Sequence, residues 1–230
     1  MPWILRQRHT RLREIMDDPD CDSARLNRTY QQFARINRLL SGWARVLDAY
    51  IFPLCADRNR TYSVLDIGFG GGDIPRWIDA CARVRGIRLD ILALDTDPRA
   101  LRYVQSLSWP ASITFACRSH QDELAAGRRF DFVISNHVLH HCTDDQVRVL
   151  CRDADQLARQ RVLMGDLVRS DLAWICFYLG TLCQYRDSYI RIDGLRSIRR
   201  SYTRSELHAL LPVGWRVKSI FPFRLLALSP

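Results

Sequence analysis

Lysine is nearly absent from this chain: Lys218 is the only one, so arginine supplies almost all of the 34 basic residues. With 25 acidic residues, the formal net charge is +9. A positive charge permits an acidic or RNA partner but does not identify one, and an arginine bias also follows from genome composition. Basic residues cluster at 6–13 and 196–204. We interpret both clusters as solvated faces and expect no nucleic-acid partner.

Long hydrophobic runs are also missing. The longest, Leu172–Cys183, has about half of the ~20 residues that a membrane-spanning helix needs. The start, Met1–Leu5, is too short for the apolar region of a signal peptide. We therefore expect no membrane span and a cytoplasmic location.

Paired cysteines are the third absence. The eight cysteines, at positions 21, 55, 81, 117, 142, 151, 176 and 183, form no C-x-x-C pair and no zinc-ligand spacing. We predict free thiols in a reducing compartment rather than a disulfide framework. Without repeats or low-complexity segments, the 230 residues, 47% of them hydrophobic, predict one domain of the larger kind with a sizeable core.

Three alternate glycines form the most informative feature that is present. The apolar stretch Val64–Ile67 contains Asp66 and leads into Gly68, Gly70 and Gly72, after which an amphipathic helix begins. Because glycine has no Cβ, such a turn lets a ligand touch the backbone. The start of the following helix offers free N–H groups to a carboxylate or phosphate. The stretch therefore predicts a ligand-binding turn between a strand and a helix.

Two common nucleotide-binding patterns do not fit this turn. The dinucleotide pattern G-x-G-x-x-G requires glycine or alanine at its last position. A pattern that starts at Gly68 has Asp73 there, and one that starts at Gly70 has Pro75. The Gly-Lys-Ser/Thr of a phosphate-binding loop does not follow either. The pattern that fits is D-x-G-x-G-x-G, filled by Asp66 and the three glycines. With it, the chain resembles the class I S-adenosylmethionine (SAM) dependent methyltransferases.

A second acidic strand end strengthens this resemblance. The apolar segment Arg88–Leu94 is predicted to be a buried strand, and Asp95 follows it, 23 residues beyond Gly72. A carboxylate about 20 residues after the glycine turn is placed to accept the hydroxyls of a ribose. Helix capping is the alternative role for Asp95, but Asp97, followed by Pro98, is the better cap of the next helix.

From position 62 onward, predicted strands and helices alternate, which indicates a parallel sheet with helices on both faces. The predicted strands are Ser63–Ile67, Arg88–Asp95, Ile113–Cys117, Phe130–Ser135, Arg161–Asp166, Trp215–Ile220 and Arg224–Leu228. The predicted helices are Gly72–Arg85, Pro98–Ser106, a short turn at Asp122–Ala126, Asp144–Ala158, Ser170–Tyr185 and a last one from Thr203 to Leu211. We expect Arg186–Tyr202 to be irregular.

The last two strands are so close in sequence that they must pair antiparallel if they pair at all. The family adds such a hairpin to its sheet, and the resemblance covers residues 62–230 in order. It implies an α/β fold, a Rossmann-like seven-stranded mostly parallel sheet with a C-terminal antiparallel hairpin. We expect a helical cap over residues 1–60, a SAM-binding domain over 61–230 and a lid insert at about 168–202. The run Tyr30–Trp43 loosely resembles the cap of quinone-biosynthesis methyltransferases.

The resemblance also implies a set of cofactor-binding residues, with SAM as cofactor and S-adenosylhomocysteine as product. Asp66 and the glycine turn would hold the methionine part, and Asp95 the ribose. Ser119 stands where the family usually has an aspartate for the adenine amino group, with Asp122 as the alternative. The predicted cofactor-binding residues are Asp66, Gly68, Gly70, Gly72, Asp95, Thr96, Ser119, His120 and Asn136.

Histidines follow the fourth strand, where the family's chain passes the sulfonium end of the cofactor. His137 is predicted either as a general base for a phenolic proton or as a wall of the cofactor pocket. His140 is the second catalytic candidate. Together with His141 they have the spacing of metal ligands on a helix, but no acidic partner stands in an H-E-x-x-H arrangement. We therefore predict no metal site.

Aromatic residues in the lid insert predict a pocket for a ring-shaped acceptor. Core packing, and solvent exposure for the arginines, are the alternative interpretations. The predicted substrate contacts are Tyr178, Tyr189, Arg191, Arg199 and Tyr202, and further candidates for the aromatic wall are Trp174, Phe177 and Tyr185.

These observations predict a methyltransferase of secondary metabolism that O-methylates a small aromatic, phenolic or quinol acceptor, as a monomer or homodimer. Two alternatives stay open: an RNA methyltransferase, and a SAM-binding protein without catalysis. The Pro-Pro-Tyr/Phe motif of base-modifying enzymes is absent after the fourth strand, where Ser135-Asn136-His137-Val138 stands instead.

Overall fold

A seven-stranded sheet is the centre of the computed structural model, which describes residues 2–230. The strands are β1 (Thr61–Ile67), β2 (Arg88–Asp95), β3 (Ile113–Cys117), β4 (Phe130–Asn136), β5 (Ala158–Leu167), β6 (Arg216–Ile220) and β7 (Arg224–Leu228). Their order across the sheet is β3-β2-β1-β4-β5-β7-β6. The first five strands run parallel, and β7 pairs antiparallel with both β5 and β6. The predicted fold class, including the closing hairpin, is confirmed.

Both faces of the sheet are buried, which explains the continuous apolar character of its strands. Leu65 and Val133 belong to one hydrophobic cluster, whereas their neighbours Val64 and Phe132 belong to the other. Side chains alternate across a strand, so each central strand serves both layers.

Nine α-helices flank the sheet within the described residues. They are α1 (Ser23–Leu40), α2 (Trp43–Val46), α3 (Asp73–Val84), α4 (Pro98–Gln105), α5 (His120–Ala125), α6 (Asp144–Leu157), α7 (Asp171–Gly180), α8 (Ile190–Arg200) and α9 (Arg204–Leu210). The capping boxes at the starts of α6 and α9 are formed, since Thr143 and Thr203 each accept from the backbone N–H three residues on. The segment predicted as a helical cap contains α1 and α2, and α2 continues as a π-helix over Leu47–Ile51.

The prediction of an irregular segment at 186–202 is wrong, because α8 occupies most of it. The buried face of this helix carries polar groups, Asp193, Ser197 and Arg200, beside Ile190 and Ile198. A helix that buries polar side chains shows no clear apolar stripe in its sequence. The preceding helix is also shorter than predicted, since α7 ends at Gly180.

Residues 2–22, which we call the N-terminal strap, run along α7, α8 and the end of β5. The Asp171 carboxylate at the start of α7 accepts the backbone N–H groups of Trp3, Ile4 and Leu5. The Arg169 guanidinium, 2% exposed, donates to the carbonyls of Leu5 and Arg6. The strap is therefore fixed to the domain by polar contacts.

Crossing a bilayer would require a helix both longer and more apolar than any that residues 2–230 form.

Candidate active site

A cavity of about 1210 Å³ opens at the carboxyl ends of the parallel strands. The strand ends contribute Gly68, Asp95 and Asn136, and the opposite wall comes from the strap, α1, α7 and α8. Ligands of open α/β sheets bind at this edge, outside the strand ends. The fold therefore places the predicted glycine turn and the predicted histidines around one space.

Backbone conformation explains the three glycines of the turn. Gly68, Gly70 and Gly72 have φ values of +83°, +52° and +74°, in the left-handed region that glycine tolerates best. A Cβ on Gly70 would meet only the Tyr30 ring at 3.9 Å, so this residue borders open space. A Cβ on Gly72 would meet Trp109 at 2.6 Å, so Gly72 serves packing at the start of α3.

Asp95 at the end of β2 shapes the turn directly. Its Oδ2 accepts the Gly70 N–H at 2.9 Å, and its Oδ1 accepts the Asp97 N–H at 2.9 Å. Each oxygen of an ionised carboxylate can accept two hydrogen bonds. Asp95 can therefore support the loop and still receive two ribose hydroxyls.

Three carboxylates, Asp66, Asp73 and Asp95, lie close enough to affect one another's charge. Burial, together with the charges of Asp73 and Asp95, raises the pKa of Asp66, whose Oδ2 is buried without a hydrogen-bond partner. Burial raises the pKa of Asp73 to about 6, although the Asn37 amide donates to it at 2.9 Å. Such a group of acids accepts a cationic ligand readily. SAM, with its ammonium and sulfonium charges, fits this environment.

His137, directly after β4, has a left-handed backbone with φ +64°. Such a conformation is uncommon outside glycine and clusters at functional sites. Its Nε2 lies within hydrogen-bond distance of the Arg224 guanidinium. Burial and this neighbouring charge hold the pKa of His137 well below its usual range. His137 is therefore a neutral imidazole.

Arg224 at the start of β7 is 4% exposed and links several of these groups. It donates at 2.8 Å to the Asn136 carboxamide oxygen, which also accepts from the Trp43 indole at 3.1 Å. Burial lowers the pKa of Arg224 to about 10, so the side chain stays charged at neutral pH. A charged guanidinium thus lies at the cavity wall, beside the end of β4.

His140 lies between two carboxylates on the turn after β4. Its Nδ1 is 2.7 Å from Asp166 Oδ1, and its Nε2 is 3.2 Å from Glu14 Oε1. Burial alone would lower the pKa of His140, but these carboxylates outweigh it and raise the pKa to about 9. Both ring nitrogens are engaged, so His140 in this arrangement offers no free lone pair to a proton.

The predicted cofactor-binding residues separate into two groups. Gly68, Gly70, Asp95, Thr96 and Asn136 line the cavity. The other four are not among the residues that line it, namely Asp66, Gly72, Ser119 and His120.

Structural partners explain the positions of Ser119 and His120. Ser119 caps α5 in a capping box with Asp122, and His120 lies 3.1 Å from Asp153 on α6. The predicted turn is a helix, α5, in which Ser119 caps the N-terminus and His120 contacts α6.

The five predicted substrate contacts all lie outside the cavity lining. Tyr189 and Tyr202 are 3% exposed, and their hydroxyls bond to the Asp22 N–H and to Asp144. Arg191 lies over the ring of Tyr178, 5.3 Å from its centroid. The Arg199 carbonyl accepts the N–H of His9 in the strap. The aromatic residues of the insert that do line the cavity are Phe177 and Tyr185.

Several cavity residues were missed by sequence analysis. Glu14 and Asp17 of the strap line the cavity, as do Asn37 of α1 and Arg224 of β7. Glu14 lies in a segment without periodicity or motif, more than a hundred positions from its partners in the chain. Arg224 was identified only as the first residue of a strand. No local signal marks either residue.

A comparison with family models matches residues 64–161 to a methyltransferase domain. No curated protein matches the chain as a sequence relative. Solved structures do match. The plantazolicin methyltransferase BpumL in complex with S-adenosylhomocysteine is 16% identical with a TM-score of 0.59, and the match covers 90% of this chain and 93% of that one.

Two further structures show the same architecture. Human N-acetylserotonin methyltransferase in complex with SAM is 16% identical, with a TM-score of 0.61 over 90% of this chain and 56% of that one. A SAM-dependent methyltransferase from Aquifex aeolicus is 13% identical, with a TM-score of 0.58 over 90% and 97%. At these identities, the likeness concerns the fold.

Proposed function

We propose that this chain, a class I SAM-dependent methyltransferase by its domain and its fold, methylates the oxygen of a small aromatic hydroxyl compound. The predictions of that enzyme class and of SAM as cofactor are confirmed, whereas the acceptor is our proposal. The observation that carries it is the charged Arg224 beside the neutral His137, in a cavity that also contains aromatic walls.

Cofactor binding would use the residues at the ends of β1 and β2. Bound SAM supplies an electrophilic methyl group on a positively charged sulfur. Asp95 would accept the ribose hydroxyls, and the open backbone at Gly70 would lie against the methionine part. Asp73, which lines the cavity, would accept the ammonium group, whereas Asp66 lies behind the lining. Holding two reactants in line can contribute roughly 7–11 kcal/mol to catalysis.

Activation of a phenol requires loss of its proton, and the contact between His137 and Arg224 favours this loss. Because Arg224 donates to Nε2, the neutral imidazole carries its proton on Nδ1 and acts as a hydrogen-bond donor. A donor beside a fixed positive charge stabilises a phenolate, so the proton can pass to solvent. This assigns His137 the positioning of the acceptor oxygen rather than the role of general base.

The walls of the cavity suit an aromatic ring. Phe33 of α1, Phe177 of α7 and Phe223 in the β6–β7 turn line it.

We further propose that residues 1–60 and the insert at about 168–202 act as cap and lid over the acceptor. All eight cysteines are free, which supports the cytoplasmic location that we propose. A monomer or homodimer remains our prediction for the assembly.

Methyl transfer from labelled SAM into a library of phenols, beside amines and RNA, tests this function. The Arg224→Met variant should lose about 10²-fold in kcat, because a preorganised charge at the reacting oxygen is worth on the order of 10²–10³. Its rate should rise at higher pH, where the phenol ionises without help. The kcat of Arg224→Lys, which keeps the charge, should lie between that of the wild type and that of Arg224→Met.

The control is Arg216→Met, which removes an exposed arginine from the neighbouring strand β6. It should leave kcat unchanged, and SAM affinity should be the same in all variants. Labelling of amines or RNA but not phenols would refute the acceptor class. An Arg224→Met enzyme with the wild-type pH profile would refute the role of Arg224, and no labelling at all would favour a non-catalytic SAM-binding protein.

A further inference from the structure

Two adjacent histidines face one carboxylate from the strap. His140 and His141 end the short 3₁₀ turn Leu139–His141 that follows β4. The Nε2 atom of His140 is 3.2 Å from Glu14 Oε1, and the Nε2 atom of His141 is 3.8 Å from Glu14 Oε2. One ligand atom from each of the three residues lies within 4.8 Å of the others. This spacing corresponds to three ligands around one metal ion.

Each of these histidines has its other nitrogen on a second carboxylate. His140 Nδ1 is 2.7 Å from Asp166, which also accepts the His140 backbone N–H at 2.8 Å. His141 Nδ1 is 3.2 Å from Asp17. Metal-binding histidines almost always donate their second N–H to a carboxylate or carbonyl, which fixes the tautomer and the ring orientation. Both rings therefore direct Nε2 toward Glu14, and a metal ion would take the place of the proton that His140 Nε2 carries in the arrangement described above.

The charges of the cluster also call for a cation. Its ion pairs join three carboxylates, Glu14, Asp17 and Asp166, with one permanent positive charge, Arg200. Over these ion pairs, neutral imidazoles leave two negative charges, although the Arg224 guanidinium also acts on Asp166 and Asp17 is partly exposed. One divalent ion, or two protons on the histidines, balances them. Glu14 is 4% exposed, which makes an uncompensated charge there costly.

We propose that Glu14, His140 and His141 bind a divalent metal ion of the zinc class, with an open coordination position on the cavity. Two imidazoles and one carboxylate are a ligand set that catalytic zinc sites use. All three residues line the cavity, which provides an entry path and room for a fourth ligand. The site is independent of the acceptor proposed above.

The inference differs from the sequence prediction of no metal for a simple reason. That prediction required an acidic partner near the histidines in sequence, whereas the acidic ligand is Glu14, 126 positions before His140. Only the folded strap brings it to the turn after β4.

Dialysed full-length protein should bind one equivalent of Co²⁺ or Zn²⁺ without SAM or acceptor. Bound Co²⁺ reports nitrogen and oxygen ligation through its visible absorption, and calorimetry gives the affinity. The His141→Asn variant should lose most of the binding, since it removes a ligand from a partly exposed side chain. Asp17→Asn should weaken binding by about tenfold, as loss of a partner behind a metal-bound histidine does.

His208→Asn is the matched control, because His208 is an exposed histidine on α9. It should bind the ions like the wild type, and circular dichroism should show that all variants are folded. The proposal is overturned if the wild type binds no Co²⁺ or Zn²⁺ at micromolar concentrations. It is equally overturned if His141→Asn and His208→Asn bind with the wild-type affinity. Neither result depends on methyl transfer, so the two proposals can fail separately.

Discussion

At the scale of single residues, Asp95 shows how one side chain serves fold and ligand together. It closes the glycine turn through Gly70 and begins the next connection through Asp97. Burial raises its pKa, whereas the backbone N–H groups that it accepts lower it. Removing the carboxylate thus changes both the loop and the ribose contact.

The Asp95→Ala variant should bind SAM at least tenfold more weakly, a loss of about 1.4 kcal/mol. The physical reason is the loss of two acceptors for ribose hydroxyls and of the Gly70 contact. Isothermal titration of SAM measures it. Asp90→Ala, in the same strand but exposed, is the control and should bind normally. Unchanged affinity of Asp95→Ala would remove Asp95 from the site.

At the scale of elements, α7 and α8 pack tightly against each other at Gly194. A Cβ at this position would lie 2.4 Å from the Phe177 ring, and Phe177 lines the cavity. Gly180, the last residue of α7, has nothing within 4 Å of the same added atom. Packing therefore requires a glycine at position 194, whereas position 180 has room for a side chain.

We expect Gly194→Ala to destabilise the protein by roughly 1–3 kcal/mol, because the Phe177 ring must move. Gly180→Ala should stabilise it by about 0.4–1 kcal/mol, since alanine restricts the unfolded chain without a clash. Denaturant unfolding of both variants gives the two signs. An equal effect of both substitutions would contradict the proposed close approach of the helices.

Sequence periodicity was enough for the elements whose buried face is apolar, and it failed where that face is polar. The strands and α3, α4 and α6 follow apolar patterns and were predicted within a few residues. The helix α8 buries Asp193, whose carboxylate accepts the N–H groups of Ile15 and Met16 in the strap. The polar face of α8 is buried because the strap supplies its hydrogen-bond partners, which the sequence of the helix alone does not show.

The candidate site was predictable to the same degree. The glycine turn and Asp95 have fixed spacing from their strands, so local sequence identifies them. Glu14 and Arg224 reach the cavity through tertiary packing, and no spacing rule predicts them. Tyr189 and Tyr202, which were predicted to contact substrate, pack instead against the strap, whose position the sequence did not predict.

At the scale of the whole molecule, the strap completes the wall of the cavity. Its carbonyl groups at Leu5 and Arg6 accept from Arg169, which also donates to the Ser201 carbonyl and pairs with Glu206. A single buried guanidinium therefore joins the strap, the end of α8 and the start of α9.

The Arg169→Met variant should lose about 3 kcal/mol or more of stability, since it leaves a carboxylate and buried carbonyls without their partner. Proteases should then cut residues 2–22 at concentrations that spare the wild type. Limited proteolysis with mass spectrometry, beside thermal unfolding, measures both effects. Arg148→Met, which breaks only an exposed pair with Asp145, should change stability by less than about 1 kcal/mol. A wild-type cleavage pattern in Arg169→Met would show that other contacts hold the strap.

Gly70 and Asp97 are both held by Asp95, a side chain of the domain itself. The glycine turn is thus preorganised, and its backbone entropy is lost during folding rather than on association with the nucleoside. A receptor that is fixed in this way retains more of the free energy of its contacts as affinity.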